Sequence, residues 1–151
     1  MHEDIDRDGE KELAAVYYTG SGTGISVEEL VFYELRDGHY KSYAYDPVGF
    51  LEDVVTADID NDAHTVTFTL KTNGESVSYD TSEDYPDGID RIGWGSSIGY
   101  EFDGNDVILT AHPSANLLSY ECMPQITAKV WYWDVGGAET GIEDITIDKE
   151  F

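Results

Sequence analysis

Three aspartates on alternate positions, Asp4, Asp6 and Asp8, are followed at once by Gly9 and then by Glu10 and Glu12. Carboxylates set this close repel one another, so a folded chain has reason to gather them about a cation. Ca²⁺ takes six to eight hard oxygens at about 2.3–2.6 Å. A D-x-D-x-D-G segment supplies them by curling, and the glycine makes the sharp turn. The expected donors are the side chains of Asp4, Asp6, Asp8 and Glu12 and the main-chain carbonyl of Glu10. An EF-hand would also need a bidentate glutamate at the twelfth position of the loop. Ala15 stands there, and the Val- and Tyr-rich run after the loop suits a strand better than a helix.

The pattern D-x-D-x-D-G-x-x-[DE] is carried by Asp4, Asp6, Asp8, Gly9 and Glu12, with Leu13–Val16 as the strand that follows. It resembles the calcium loops of FG-GAP and VCBS-type, integrin-like repeats. That resemblance implies a structural Ca²⁺ in a loop between two strands of a β-unit, and nothing catalytic. Only Met1-His2-Glu3 precede the loop, so the usual upstream strand is not expected, and the motif does not recur cleanly. From Gly20-Ser21-Gly22-Thr23-Gly24 and Val27-Glu28-Glu29-Leu30 onward, the chain resembles secreted bacterial proteins of unassigned function. The abrupt start at the loop suggests a trimmed, mature form.

Other motifs carry less. Gly20–Gly24 lacks the lysine of a P-loop and the spacing of a dinucleotide loop, so it reads as a strand connection. Gly95-Ser96-Ser97-Ile98-Gly99 matches G-x-S-x-G, and Asp103 or Asp106 followed by His112 gives a triad order. That chemistry needs the serine on a strained strand-to-helix turn, whereas the pattern here continues into a strand. The four histidines are scattered, with no zinc spacing. Cys122 is the single cysteine, so no intramolecular disulfide is available. With no basic neighbour to lower its pKa, it reads as buried rather than reactive. Trp131 and Trp133 share one face of a strand, and Trp94 lies in a glycine-rich stretch. Exposed indoles so placed can stack on sugars. The commoner arrangement has them covering a second core layer.

Eight Lys and Arg against 32 Asp and Glu give a net charge of −24, in a chain of 151 residues that is 40% hydrophobic. Such hydrophobicity favours a folded acidic domain over disorder. The charge argues against nucleic acid, whose phosphates need clustered Lys and Arg, and against anionic membrane surfaces. It favours cations, because each bound Ca²⁺ relieves self-repulsion. A weak calcium site fills outside cells, which points to an extracellular or cell-surface location. No apolar run is long enough to span a bilayer.

The elements that must position these residues are strands. Val66, Phe68 and Leu70 alternate with threonines; Ile98, Tyr100 and Phe102 repeat the two-residue spacing, then Val107, Leu109 and Ala111. Asn73-Gly74 and Asp103–Asp106 read as hairpin turns. Val27–Leu35 and His39–Tyr45 pair about Arg36-Asp37-Gly38. Ser26-x-x-Glu29 fits a helix capping box, yet Val31-Phe32-Tyr33 prefers strand. Leu13–Thr19, apolar on both faces, reads as a central strand. Residues 126–135 form a long strand, and Glu143–Asp148 a last one. Pro47–Val55 alone has helical character. Asp58–Asp62 echoes the first loop without its glycine and reads as an ordinary turn, and the acids of 80–90 as a solvated loop.

The sequence therefore predicts a single all-β domain over 1–151, with nine or ten strands: an antiparallel sandwich, barrel or partial propeller-like sheet with an N-terminal calcium loop. The expected function is a calcium-stabilised extracellular binding or structural module without catalytic activity, whose partner is a protein or glycan. The rival is a carbohydrate-binding module using Trp94, Trp131 and Trp133. A small hydrolase built on Ser97 or a carboxylate pair is the least favoured.

Overall fold

A computed structural model describes residues 1–23, 25–116, 124–134 and 138–148. Cys122 lies outside them. The described elements run β1 (His2–Glu3), β2 (Glu12–Gly22), β3 (Ile25–Arg36), β4 (His39–Ala44), α1 (Pro47–Val54), β5 (Val55–Asp60), β6 (Thr65–Leu70), β7 (Ser76–Asp80), β8 (Ile92–Asp103), β9 (Asp106–Ala115), β10 (Ile126–Asp134) and β11 (Ala138–Ile147). Among the described residues, no helix is long and apolar enough to cross a membrane.

Eight strands make one sheet in the order β1-β2-β3-β8-β9-β10-β11, with β4 also paired to β3. The neighbours are antiparallel except β3 and β8, which run parallel over Ser26↔Ser97 and Val27↔Ile98. A second sheet is the meander β5-β6-β7. The arrangement is sandwich-like. The strand order of the large sheet does not close on itself, so it is not a closed barrel.

Local chemistry explains most boundaries. The turn at Asp37-Gly38 takes left-handed backbone at both residues, φ 52° and 77°, and sets the Arg36↔His39 register. The turns at Asn73-Gly74 and Gly104-Asn105 join β6 to β7 and β8 to β9. Asp46 caps α1, its Oδ1 accepting from the N–H of Val48 (3.2 Å) and Gly49 (3.3 Å), and Pro47 starts the helix without needing a donor. Ser26 and Glu29 sit inside β3, so strand preference overrides the capping-box pattern there.

Two expectations about the start of the chain are corrected. His2 and Glu3 do form a strand, paired to Leu13 and Glu12 of β2, so the acidic loop links two strands. That pairing covers only the first residues of β2. Among the described residues nothing pairs with the rest of its outer edge, and Tyr17 and Tyr18 are exposed, so β2 is closer to an edge strand than a central one.

The large sheet bends over itself. Phe32 of β3 stacks on Tyr132 of β10 with ring centroids 4.6 Å apart, although β8 and β9 separate the two strands in the sheet. Val66, Phe68 and Leu70 of the meander face the same interior, and their cluster is continuous with Leu30, Leu109 and Ile126 of the large sheet. The fold at β3 and β10 brings the N-terminal loop against the C-terminal end of β10, where the candidate site lies.

Candidate metal centre and adjoining groove

The loop between β1 and β2 curls as its sequence requires. Gly9 takes φ 97°, a conformation that costs glycine little, and Arg7 is held left-handed at φ 64°. Short carboxylate–amide bonds fix the curl. The N–H of Asp8 donates to Asp6 Oδ1 (3.1 Å), that of Gly9 to Asp4 Oδ2 (3.2 Å) and that of Glu10 to Asp8 Oδ1 (2.8 Å).

The outcome is convergence. One carboxylate oxygen each from Asp4, Asp6 and Asp8 lies within 4.8 Å of the others. Oxygens bound to one Ca²⁺ at about 2.3–2.6 Å are at most about 5 Å apart, so the three fit a shared ion. Asp6 is buried, and Asp4 Oδ1 is buried with no hydrogen-bond partner. An orphaned buried acceptor costs about 1–3 kcal/mol, and a hard cation satisfies it. The donor set suits calcium, being all oxygen and all anionic.

Glu12 stands behind this group. It is 2% exposed, and its Oε2 accepts from the N–H of Ile5 (2.7 Å) and Asp6 (3.4 Å). It therefore braces the loop backbone from the first residue of β2. Burial raises its pKa above 4.5, the Ile5 amide opposes the rise, and the charge of Asp6 adds to it. Glu10 is exposed.

Three further charged side chains, Glu34, Arg36 and Asp134, adjoin Asp6. The N–H of Asp134 donates to Asp6 Oδ2 (3.2 Å). The Asp134 carboxylate pairs with Arg36 Nη2, and Arg36 Nε pairs with Glu34 Oε2 (2.8 Å). Burial, reinforced by the neighbouring Asp134 carboxylate, lifts the Glu34 pKa, while Arg36 pulls it down. Arg36 gains from both carboxylates and is held firmly charged. Glu34, Arg36 and Asp134 escaped the sequence reading because nothing in their spacing marks them. The bend of the sheet brings them to the loop.

A groove of about 320 Å³ adjoins the loop, with Ile5, Asp6 and Arg7 forming one wall and the outer face of β10 another. Trp131 and Trp133 line it and are 36% and 52% exposed. They do not cover a second core layer. The strand's inward face, Ile126, Ala128, Val130 and Tyr132, satisfies the core instead. Trp94 is elsewhere, half-buried against the core beside Val55, Ala57 and Ile92.

Ser97 lies within β8 directly across from His112 of β9. Both border a shallow groove with Glu28 and Glu101. The serine is thus on an extended strand and not on the strand-to-helix turn of a nucleophile elbow. Glu28 is committed nearby, its Oε2 accepting from the N–H of Tyr100 (2.8 Å).

Comparison with known proteins gives no further guide: no family model, curated protein or solved structure matches the chain.

Proposed function

We infer that the protein is a calcium-stabilised extracellular module that binds a partner or serves a structural role, without catalytic activity. The observation that carries this reading is the convergence of Asp4, Asp6 and Asp8, within 4.8 Å, at a loop where Asp4 Oδ1 has no partner. In this reading the three carboxylates hold Ca²⁺, the Glu10 carbonyl completes the arc, and Glu12 keeps the loop backbone in place through the Ile5 and Asp6 amides. The bound charge offsets local repulsion in a chain of net charge −24. It also ties the N-terminal hairpin to β10 through the bond from Asp134 to Asp6.

An extracellular setting follows from the same chemistry. Modules of that kind bind calcium at about 10⁻⁴–10⁻³ M, weakly enough to stay empty at cytosolic levels. The deciding experiment is calorimetric titration of Ca²⁺ into chelator-treated protein. Saturable binding of one ion, abolished by Asp6→Asn, supports the reading. Heat indistinguishable from dilution rejects it.

A further inference from the structure

Trp131 is seated by a glycine. In the β10–β11 pairing it lies opposite Gly141. A methyl group added to Gly141 would overlap the indole, coming within 2.6 Å of Cε2 and 2.8 Å of Nε1. The Nε1–Cε2–Cζ2 edge of the ring therefore occupies the space that a side chain at 141 would fill. Gly141 has no left-handed backbone to explain the glycine, so the space itself does. An indole seated in this way has little rotamer freedom left to lose on binding, and it remains 36% exposed at the groove.

Trp133 lies two residues further along the same face, about 6.6 Å away by strand geometry, and is half exposed. Two aromatic platforms in a row suit consecutive flat, weakly polar rings. Polar groups edge the platforms. Lys129 Nζ is held by Asp106 Oδ1 (2.8 Å) and lies 4.0 Å from Glu143 Oε1, and Asn105 adds an amide at the rim. Carboxylates and an amide are good partners for hydroxyl donors.

Charge narrows the class. The groove's three carboxylates, Asp6, Asp106 and Glu143, outnumber its two cations, Arg7 and Lys129. One of the two, Lys129, is already paired with Asp106. An anionic polymer would meet a chain of net charge −24. A proline-rich peptide could stack on the indoles but has few donors for the carboxylates of the rim.

We propose that the groove over Trp131 and Trp133 binds a neutral polysaccharide, with the two indoles stacking on successive sugar rings and Asp106, Glu143 and Asn105 taking hydroxyl hydrogens. This names a ligand class for the binding module and stands on the groove, independently of the metal.

The test is a tryptophan-fluorescence and calorimetric titration of the whole chain with soluble β-glucan, xylan, galactomannan and dextran. Polygalacturonate and a proline-rich peptide serve as comparisons, and each series is run in millimolar Ca²⁺ and again with chelator. Saturable binding of at least one neutral polymer is expected. Trp133→Ala should weaken it about tenfold or more. Gly141→Ala should weaken it comparably while leaving both indoles present, because the added methyl group evicts the Trp131 ring. Trp94→Phe should bind as the parent does. Circular dichroism confirms that each variant is folded. Trp133→Ala, which removes an exposed side chain, keeps the test alive if Gly141→Ala does not fold. The proposal is overturned if no neutral polymer binds, if binding survives Trp133→Ala, or if only the anionic polymer or the peptide binds. Loss of polysaccharide binding alongside intact calcium binding rejects the groove alone. The reverse rejects the metal alone.

Discussion

The backbone N–H of Asp134 donates to the carboxylate of Asp6 at 3.2 Å, joining two residues 128 apart in sequence. Through this bond the curl of the N-terminal loop is registered against the end of β10, and so against Trp133 beside it. A metal held by Asp4, Asp6 and Asp8 would then stabilise the packing of the first hairpin on the far side of the sheet as well as the loop.

Calcium should raise thermal stability. With free Ca²⁺ at ten to a hundred times a dissociation constant in the extracellular range, the gain is about 1.4–2.7 kcal/mol. For a domain of this size that corresponds to a rise in Tm of about 3–10 °C. Differential scanning calorimetry with and without chelator measures it. Asp6→Asn should lose most of the rise, and an equal rise in the variant would show that calcium acts elsewhere.

Arg36 should matter more than a surface arginine does. Its partner Asp134 has a side chain only 1% exposed, so Arg36→Met leaves a buried carboxylate without its guanidinium. Losing one member of a buried pair costs about 3–5 kcal/mol. The partial exposure of Arg36 reduces this, but the urea midpoint of Arg36→Met should still fall clearly below that of the parent. Arg36→Lys should fall between, because an ammonium cannot serve Glu34 and Asp134 as a fork. Urea denaturation of the three proteins compares them directly.

Glu34 gives stability an acid-range signature. Its folded pKa lies above the ordinary value of 4.5, chiefly through burial and then through Asp134. A carboxyl raised in the folded state stabilises when protonated. Its contribution is complete below the unfolded value and fades as pH rises through the folded one. Relative to Glu34→Gln, the parent should therefore lose Tm as pH climbs from about 4 towards neutrality. A difference that grows in the opposite sense would mean that Arg36 outweighs the burial.

Asn61 should be a structural keystone despite its place in a turn. Its Oδ1 accepts from the N–H of Ile89 (2.9 Å), and its Nδ2 donates to the carbonyl of the same residue (3.1 Å). It thereby satisfies both main-chain groups of a buried residue in the 81–91 loop. Asn61→Ala should cost about 1–3 kcal/mol, read as a fall of roughly 2–12 °C in Tm. Asn61→Asp keeps the acceptor and loses the donor, so it should cost less.

The sequence by itself determined the elements. Alternation in Val66-Thr67-Phe68-Thr69-Leu70 depends only on the two-residue period of a strand, and the turns at Asp37-Gly38 and Asn73-Gly74 depend on residues that tolerate left-handed backbone. The acidic loop was legible for the same reason: Asp4, Asp6, Asp8 and Gly9 are neighbours in the chain, and a local curl suffices to bring their oxygens together. Glu12 was legible as part of that loop, and the tertiary structure adds its bracing of the Ile5 and Asp6 amides.

Tertiary structure decided what no local rule reaches. The two-residue strand β1 exists because β2 offers it an edge. Arg36 and Asp134 meet because the large sheet bends until Phe32 stacks on Tyr132. Alternation placed Trp131 and Trp133 on the face opposite Tyr132, but only the layer arrangement could say whether that face met a second core or water. It meets water beside the acidic loop, with Gly141 beneath one indole. Short-range periodicity and turn chemistry are written residue by residue. Long-range contacts depend on how whole sheets bend and stack to bury their apolar faces, which is a property of the chain as a whole.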